Sequence, residues 1–473
     1  MSSPPTADRL VARNFLALGS GEVAARLIAF AATVYIAHVL GPDYYGIIGF
    51  ATAITLYLNR VADGGVELGL GVREIAAAPT RLSELAPALL SARLLVASVL
   101  IVVLALLSAF VLPPPEGTVL ALYGLTLLAV GGSTRWIYLG LEKSRLVAVA
   151  RALGEAIMVA LVFALVRGPA DLTRVPLAQF AGDTIAALVL LAVLRRYHVK
   201  LRPKFDWSVI KPLLPRASLL VVSSFFGLAI YNADLIFLRA FRDRSTVGYY
   251  AAAYTLISFL VNLGTAYSMS LLPTLTRLAK TPAEQNSLYH SAVAQVFALG
   301  FPIAVGGALL APKIIGLFFG HEYAPSTLPL QILFWAVPLA VLRDVPIVAM
   351  LSRGREDAIF RLTGWAAALN LLLNFMLIPR FGMTGAAVAT VVTEAVRMVI
   401  AFWLIRSEGF QVTNITRLAR PFVAGLAMAA LLFFARPSML GLAVLIGVLG
   451  YAVTLTLVGG LRFRRGSLPA LNV

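Results

Sequence analysis

Apolar runs of about 20 residues follow one another almost without pause from residue 13 to residue 461. Lipid offers no hydrogen bonds, so a run of that length must satisfy its backbone within itself, which a helix does. Spans are expected near residues 13–39, 44–63, 85–112, 117–139, 145–166, 176–195, 214–238, 247–276, 287–310, 326–350, 357–378, 383–405, 419–435 and 439–461, which makes about fourteen helices. With 60% of residues hydrophobic and 13% charged, a water-soluble domain is excluded. The first run follows MSSPPTADRLVARNF, lacks a small-residue cleavage site and carries Glu22 and Arg26. It reads as a retained span, not as a signal peptide.

The formal charge is +17, yet the basic residues punctuate apolar runs instead of gathering on one polar face, so nucleic acid is excluded as a partner. They sort by side of the membrane. With the N-terminus inside, roughly 22 Lys and Arg fall in internal segments and roughly 8 in external ones, which places both termini in the cytoplasm. The external cluster Arg239, Arg242 and Arg244 runs against that rule. There is no cysteine, and the four histidines are far apart with no HExxH spacing, so neither a disulfide, a metal site nor a cofactor is expected.

The longest polar loop lies between spans six and seven and ends in the amphipathic piece Phe205 to Lys211, suited to an inner membrane interface. Gly46 opens span two much as Gly248 opens span eight. The expected fold class is therefore all-α integral membrane, with two pseudo-symmetric six-helix lobes and a C-terminal helix pair. The domains are 1–195, a basic bridge 196–213, 214–405, and 406–473 with its basic tail. Two repeats with a pathway between them is the pattern of a transporter.

Charged residues inside spans need a reason. Each arginine at mid-membrane costs roughly 3 kcal/mol, and those within the spans would together cost on the order of 25 kcal/mol if they faced lipid. Several are expected to line a hydrated cavity. The pairs Glu22 and Arg26, Arg60 and Asp63, Arg151 and Glu155, and Glu394 and Arg397 are spaced three or four apart, which fits either a local ion pair or a cavity role. Arg93, Arg135 and Arg216 have no acidic partner within a turn. Arg135 and Arg216 also fit snorkelling to an interface, as does the adjacent pair Arg343 and Asp344 near a helix end. The cavity candidates are Arg26, Arg60, Arg216, Glu22, Asn59 and Asn232. Asp234 and Asp63 are candidates for a coupling ion, Na+ or H+. No GxSxG, Walker A or dinucleotide fingerprint is present, and an enzyme is not expected.

Five segments in order carry a family resemblance: Leu40 to Gly46; Ala62 to Gly65 with Gly69; Val247 to Tyr250 with Ala253 and Tyr254; Leu317 to Ala324; and Ile378 to Ala387. Together they resemble the polysaccharide-export and oligosaccharide flippases of the multidrug/oligosaccharidyl-lipid/polysaccharide superfamily. That resemblance implies a fourteen-helix inner-membrane flippase which moves undecaprenyl-diphosphate-linked sugar units across the cytoplasmic membrane by alternating access. It serves O-antigen, capsule or exopolysaccharide synthesis, beside membrane lipids and the polymerase and glycosyltransferases of the same pathway. Guanidinium suits a diphosphate because it forms a bidentate fork and stays charged. The alternatives are a multidrug or cation antiporter of the same superfamily and, further off, an intramembrane polymerase or ligase.

Overall fold

The computed structural model describes residues 7–194, 205–410, 415–435, 437–462 and 470–471, and the side chains of 28–194, 205–410, 418–435 and 437–460. Twelve long helical segments make up the described chain: α1 (Ala7–Asp63), α2 (Pro79–Phe110), α3 (Glu116–Gly140), α4 (Ser144–Leu165), α5 (Arg174–Leu194), α6 (Trp207–Phe241), α7 (Arg244–Lys280), α8 (Pro282–Phe318), α9 (His321–Leu351), α10 (Glu356–Ser407), α11 (Ile415–Ala435) and α12 (Leu440–Leu457). A π turn at Val66–Leu70 and a short helix at Gly71–Ala77 join α1 to α2. Two-residue strands, β1 (Leu461–Arg462) and β2 (Ala470–Leu471), pair antiparallel beyond α12. Among the described residues, 11 helices are long and apolar enough to cross a membrane, and the chain is a multi-pass membrane protein.

Two helices are too long for one crossing. A straight 52-residue helix would run roughly 78 Å, more than twice the about 30 Å of a hydrocarbon core. α10 breaks at Gly382 (φ 56, ψ −134) and α1 at Gly41 (φ 75, ψ 170). Both conformations are open to glycine and strained for other residues, and Pro42 and Pro379 beside them withhold a backbone donor. Near the α10 break Arg242 donates to the carbonyl of Pro379 at 2.8 Å. That contact accounts for one of the three arginines that stood against the charge rule.

The chain divides into two compact units, Met1–Phe225 and Phe226–Val473. The division falls inside α6, downstream of the basic bridge. In unit 1 the core gathers Ile75, Leu85, Trp136, Ile137 and Tyr138, all fully buried, with Val209 and Ile210 from the amphipathic piece. The Tyr138 hydroxyl donates to the Leu190 carbonyl at 2.6 Å, so its polar tip is satisfied where its ring is buried. Trp207 on the same amphipathic piece is exposed, as an interfacial tryptophan would be. Bridge residues 195–204 lie outside the described residues. In unit 2 one core joins α7 to α10 around Tyr289, Val345 and Met350, and a second seats α11 and α12 on α8 through Phe301, Met428 and Leu432. The outward faces of α2 and α12 are lined with exposed Leu and Val, the surface lipid requires.

Candidate functional site

α3 is interrupted. Ser133 is extended (ψ 128), between a helical stretch that ends at Gly132 and one that starts at Arg135. A helix broken in apolar surroundings leaves carbonyls short of backbone donors. Arg93 of α2 supplies donors there: Nη1 donates to the Ser133 carbonyl at 2.8 Å and Nη2 to the Val130 carbonyl at 2.6 Å, which also accepts from the Ser133 N–H at 3.2 Å. Nη2 also lies 3.2 Å from Asp63 Oδ1 and 3.3 Å from Glu67 Oε1. Asp63 in turn accepts from the Glu67 backbone N–H at 3.0 Å. Arg135 carries the network outward, 3.9 Å from Glu67 Oε2. Side-chain exposure rises along this chain from 3% at Arg93 and 6% at Asp63 to 22% at Glu67 and 44% at Arg135.

The open end meets a cavity of about 390 Å³ formed by unit 1 alone. Asn59, Glu67, Ser133 and Arg135 line one side; Arg151, Glu155, Gln179 and Asp183 of α4 and α5 line the other. The last four stand together because α4 and α5 meet at Gly154 and Gly182, where a Cβ on either glycine would lie 2.5 Å from the other's carbonyl oxygen. The Gln179 amide donates to both oxygens of Asp183 at 3.1 Å. Arg151 lies 3.8 Å from Glu155, too long for a hydrogen bond. Among the described lining residues, three carboxylates (Glu67, Glu155 and Asp183) and two guanidiniums (Arg135 and Arg151) face this space.

Unit 2 holds a second network, closed throughout. Glu394 sits between two arginines, accepting from Arg397 Nη1 at 2.6 Å and lying 3.4 Å from Arg343 Nη1. Arg343 Nη2 is 2.8 Å from Asp344 Oδ1, while Asp344 Oδ2 accepts from the Thr265 hydroxyl at 2.7 Å. The Tyr231 hydroxyl accepts from Nη1 of both arginines, at 3.1 and 3.2 Å. None of the four charged side chains is more than 10% exposed. Asp234, 1% exposed, accepts from the Tyr250 hydroxyl at 2.5 Å and the Leu235 N–H at 2.9 Å. A polar ladder in the same unit joins Asn374 to Asn370 at 2.9 Å and Asn370 to Thr393 at 3.2 Å.

The sequence candidates fare unequally. Glu22 and Arg26 lie outside the residues whose side chains are described. Asn59 lines the unit 1 cavity, with its Oδ1 buried and unpartnered among the described residues. Arg60 and Asn232 are half-buried, and Arg60 does not pair with Asp63, whose partner is Arg93. Arg216 is 77% exposed and lies 3.9 Å from Glu74. Asp234 bonds to Tyr250. The interfacial placement expected of Arg343 is wrong, because Glu394 and Asp344 neutralise it in the core. Sequence reasoning missed Glu67, Gln179 and Tyr231 as site residues and left Asp183 unassigned.

Comparison with known proteins fits this layout. The polysaccharide biosynthesis protein family matches residues 11–279, and the lipid II flippase MurJ family matches residues 154–454. A probable flippase, AglR, of Haloferax volcanii is 28% identical over 42% of this chain; the match spans 43% of that relative, less than half its length. A putative O-antigen transporter of Escherichia coli K12 is 21% identical over 84% of this chain and 97% of its own length. The solved lipid II flippase MurJ, in an inward closed conformation, shares the fold with a TM-score of 0.73 and 14% identity, over 94% of this chain and 98% of that one. An inward-facing multidrug resistance MATE family transporter gives a TM-score of 0.61 at 14% identity, over 81% of this chain and 94% of its own. The chain belongs to the polysaccharide biosynthesis protein family.

Proposed function

We propose that this protein is a flippase that carries a polyprenyl-diphosphate-linked oligosaccharide from the cytoplasmic to the outer leaflet of the inner membrane by alternating access, for O-antigen, capsule or exopolysaccharide synthesis. The observation that carries this reading is the near full-length match to a putative O-antigen transporter, inside a family named for polysaccharide biosynthesis. Counting each side of Gly41 and Gly382 as its own crossing supports a reading with fourteen spans, and the excess of basic residues at one side supports cytoplasmic termini. Arg26, Arg60 and Arg216 remain the candidates for the diphosphate. Asp234 is the better candidate for a coupling Na+ or H+, because Asp63 is already neutralised by Arg93. The polymerase and glycosyltransferases of the pathway are the partners this role requires. Carrying about two negative charges outward is favoured by roughly 4 to 5 kcal/mol per 100 mV of inside-negative potential.

A second reading, in which the cargo is lipid II, is favoured by the family match over residues 154–454. A multidrug antiporter is supported by likeness of fold alone. The test is reconstitution in liposomes that hold one or the other lipid-linked saccharide, with an added lectin or oxidant that reaches only the outer leaflet. Cargo should become accessible at a rate set by the protein and by an imposed potential. Export of cationic dyes with neither lipid-linked cargo moved would overturn the reading in favour of the antiporter.

A further inference from the structure

We propose that the unit 1 cavity is a saccharide subsite, which takes neutral or amino sugars and refuses uronates. Only the identity of the cargo rests on the flippase reading; the site stands on its own geometry. A space of about 390 Å³ falls in the lower part of the range for small-ligand pockets, about 300–1,000 Å³. Its lining mixes two chemistries: Ala129, Val130, Val147, Met158 and Ala186 are apolar, and they alternate with the polar residues on the same helices.

Those polar groups are short of donors. Both Asp183 oxygens accept from the Gln179 amide, the Asn59 Oδ1 is buried without a partner among the described residues, and Glu155 stands beyond hydrogen-bond range of Arg151. A ligand that completes them must bring several O–H or N–H groups on a compact frame, which a sugar ring does. Charge sets the selection. Among the described lining residues Glu67, Glu155 and Asp183 outnumber Arg135 and Arg151, so a carboxylate or phosphate on the ligand meets net repulsion from them. The Gly154 and Gly182 contact fixes the wall that carries Glu155 and Asp183, because the two helices already touch backbone to backbone.

The absence of cysteine from the chain supplies the test. Ala187→Cys puts one thiol on a cavity wall. In reconstituted full-length protein this thiol should react severalfold faster with a cationic methanethiosulfonate than with an anionic one. N,N′-diacetylchitobiose near saturation should slow labelling about tenfold, and digalacturonate should not. Adding Asp183→Asn, or Asn59→Leu if the first lowers thermal stability, should abolish the protection. Labelling unaffected by chitobiose, or slowed equally by digalacturonate, would overturn the proposal even where lipid-linked cargo is still translocated. Protection by chitobiose without translocation of any lipid-linked saccharide would keep the subsite and defeat the flippase reading.

Discussion

Each unit buries a network of two arginines and two carboxylates, and the two are built to different ends. In unit 2, Arg343, Asp344, Glu394 and Arg397 are sealed, with Tyr231 accepting from both arginines and Thr265 donating to Asp344. In unit 1, Arg93 and Asp63 are sealed as well, but Glu67 and Arg135 run out to a cavity beside an interrupted helix. Equal charge composition therefore does not imply an equal role. A closed neutral cluster fixes helices to one another; an open one presents charges to whatever enters. The break at Ser133 makes the difference, because it gives Arg93 carbonyls to hold and turns Arg135 outward.

The comparison can be broken at its strongest point first. Glu394→Ala leaves Arg397 without its carboxylate and Arg343 with Asp344 alone in the core of unit 2, and should cost about 3 to 5 kcal/mol, read as a large fall in the unfolding midpoint of the purified protein. An unchanged midpoint would show that the cluster is not sealed. Arg93→Ala should cost about 3 kcal/mol, since it leaves Asp63 buried without its counter-charge and takes a donor from the Ser133 carbonyl. Arg93→Lys should recover only part of that in the same thermal scan, because an ammonium lacks the fork that spans Ser133 and Val130.

Smaller effects sharpen the contrast. Arg135→Gln, half-exposed and at long range from Glu67, should change stability by less than about 1 kcal/mol. Asp243 should have the slightest effect. The hydroxyls of Ser245 and Thr246 donate to its carboxylate and hold its pKa below the usual value. A depressed folded pKa contributes stability that is complete above the unfolded value of about 3.9 and fades as pH falls through the folded one. Asp243→Asn should therefore lower the unfolding midpoint slightly at pH 7, and the difference from wild type should vanish on acidification. A difference that grew with acid would refute the assignment.

Much of the fold was legible before the structure. Apolar runs of bilayer length mark the spans, and the gaps left between 13–39 and 44–63 and between 357–378 and 383–405 hold the breaks at Gly41 and Gly382. Ion pairs one helical turn apart were legible too, as Arg151 with Glu155 and Glu394 with Arg397 show. Pairs that depend on packing were not. Nothing local ties Arg93 to Asp63 or Arg343 to Glu394, because each pair joins different helices. Tyr231 looks like an ordinary packing residue in an apolar helix until two arginines are seen to share its hydroxyl. Glu67 carries no signal of its own in the sequence, and its role appears only where it meets Arg93 and Arg135.

The central claim, that the open network serves transport and the closed one serves folding, is tested most directly by measuring translocation rate and unfolding midpoint on the same reconstituted variants. Asp183→Asn and Arg135→Gln should keep the midpoint of the wild type and lose most translocation of lipid-linked saccharide, whereas Arg343→Ala should lose the midpoint itself. Full translocation by both unit 1 variants, or an unaltered midpoint in Arg343→Ala, would contradict it.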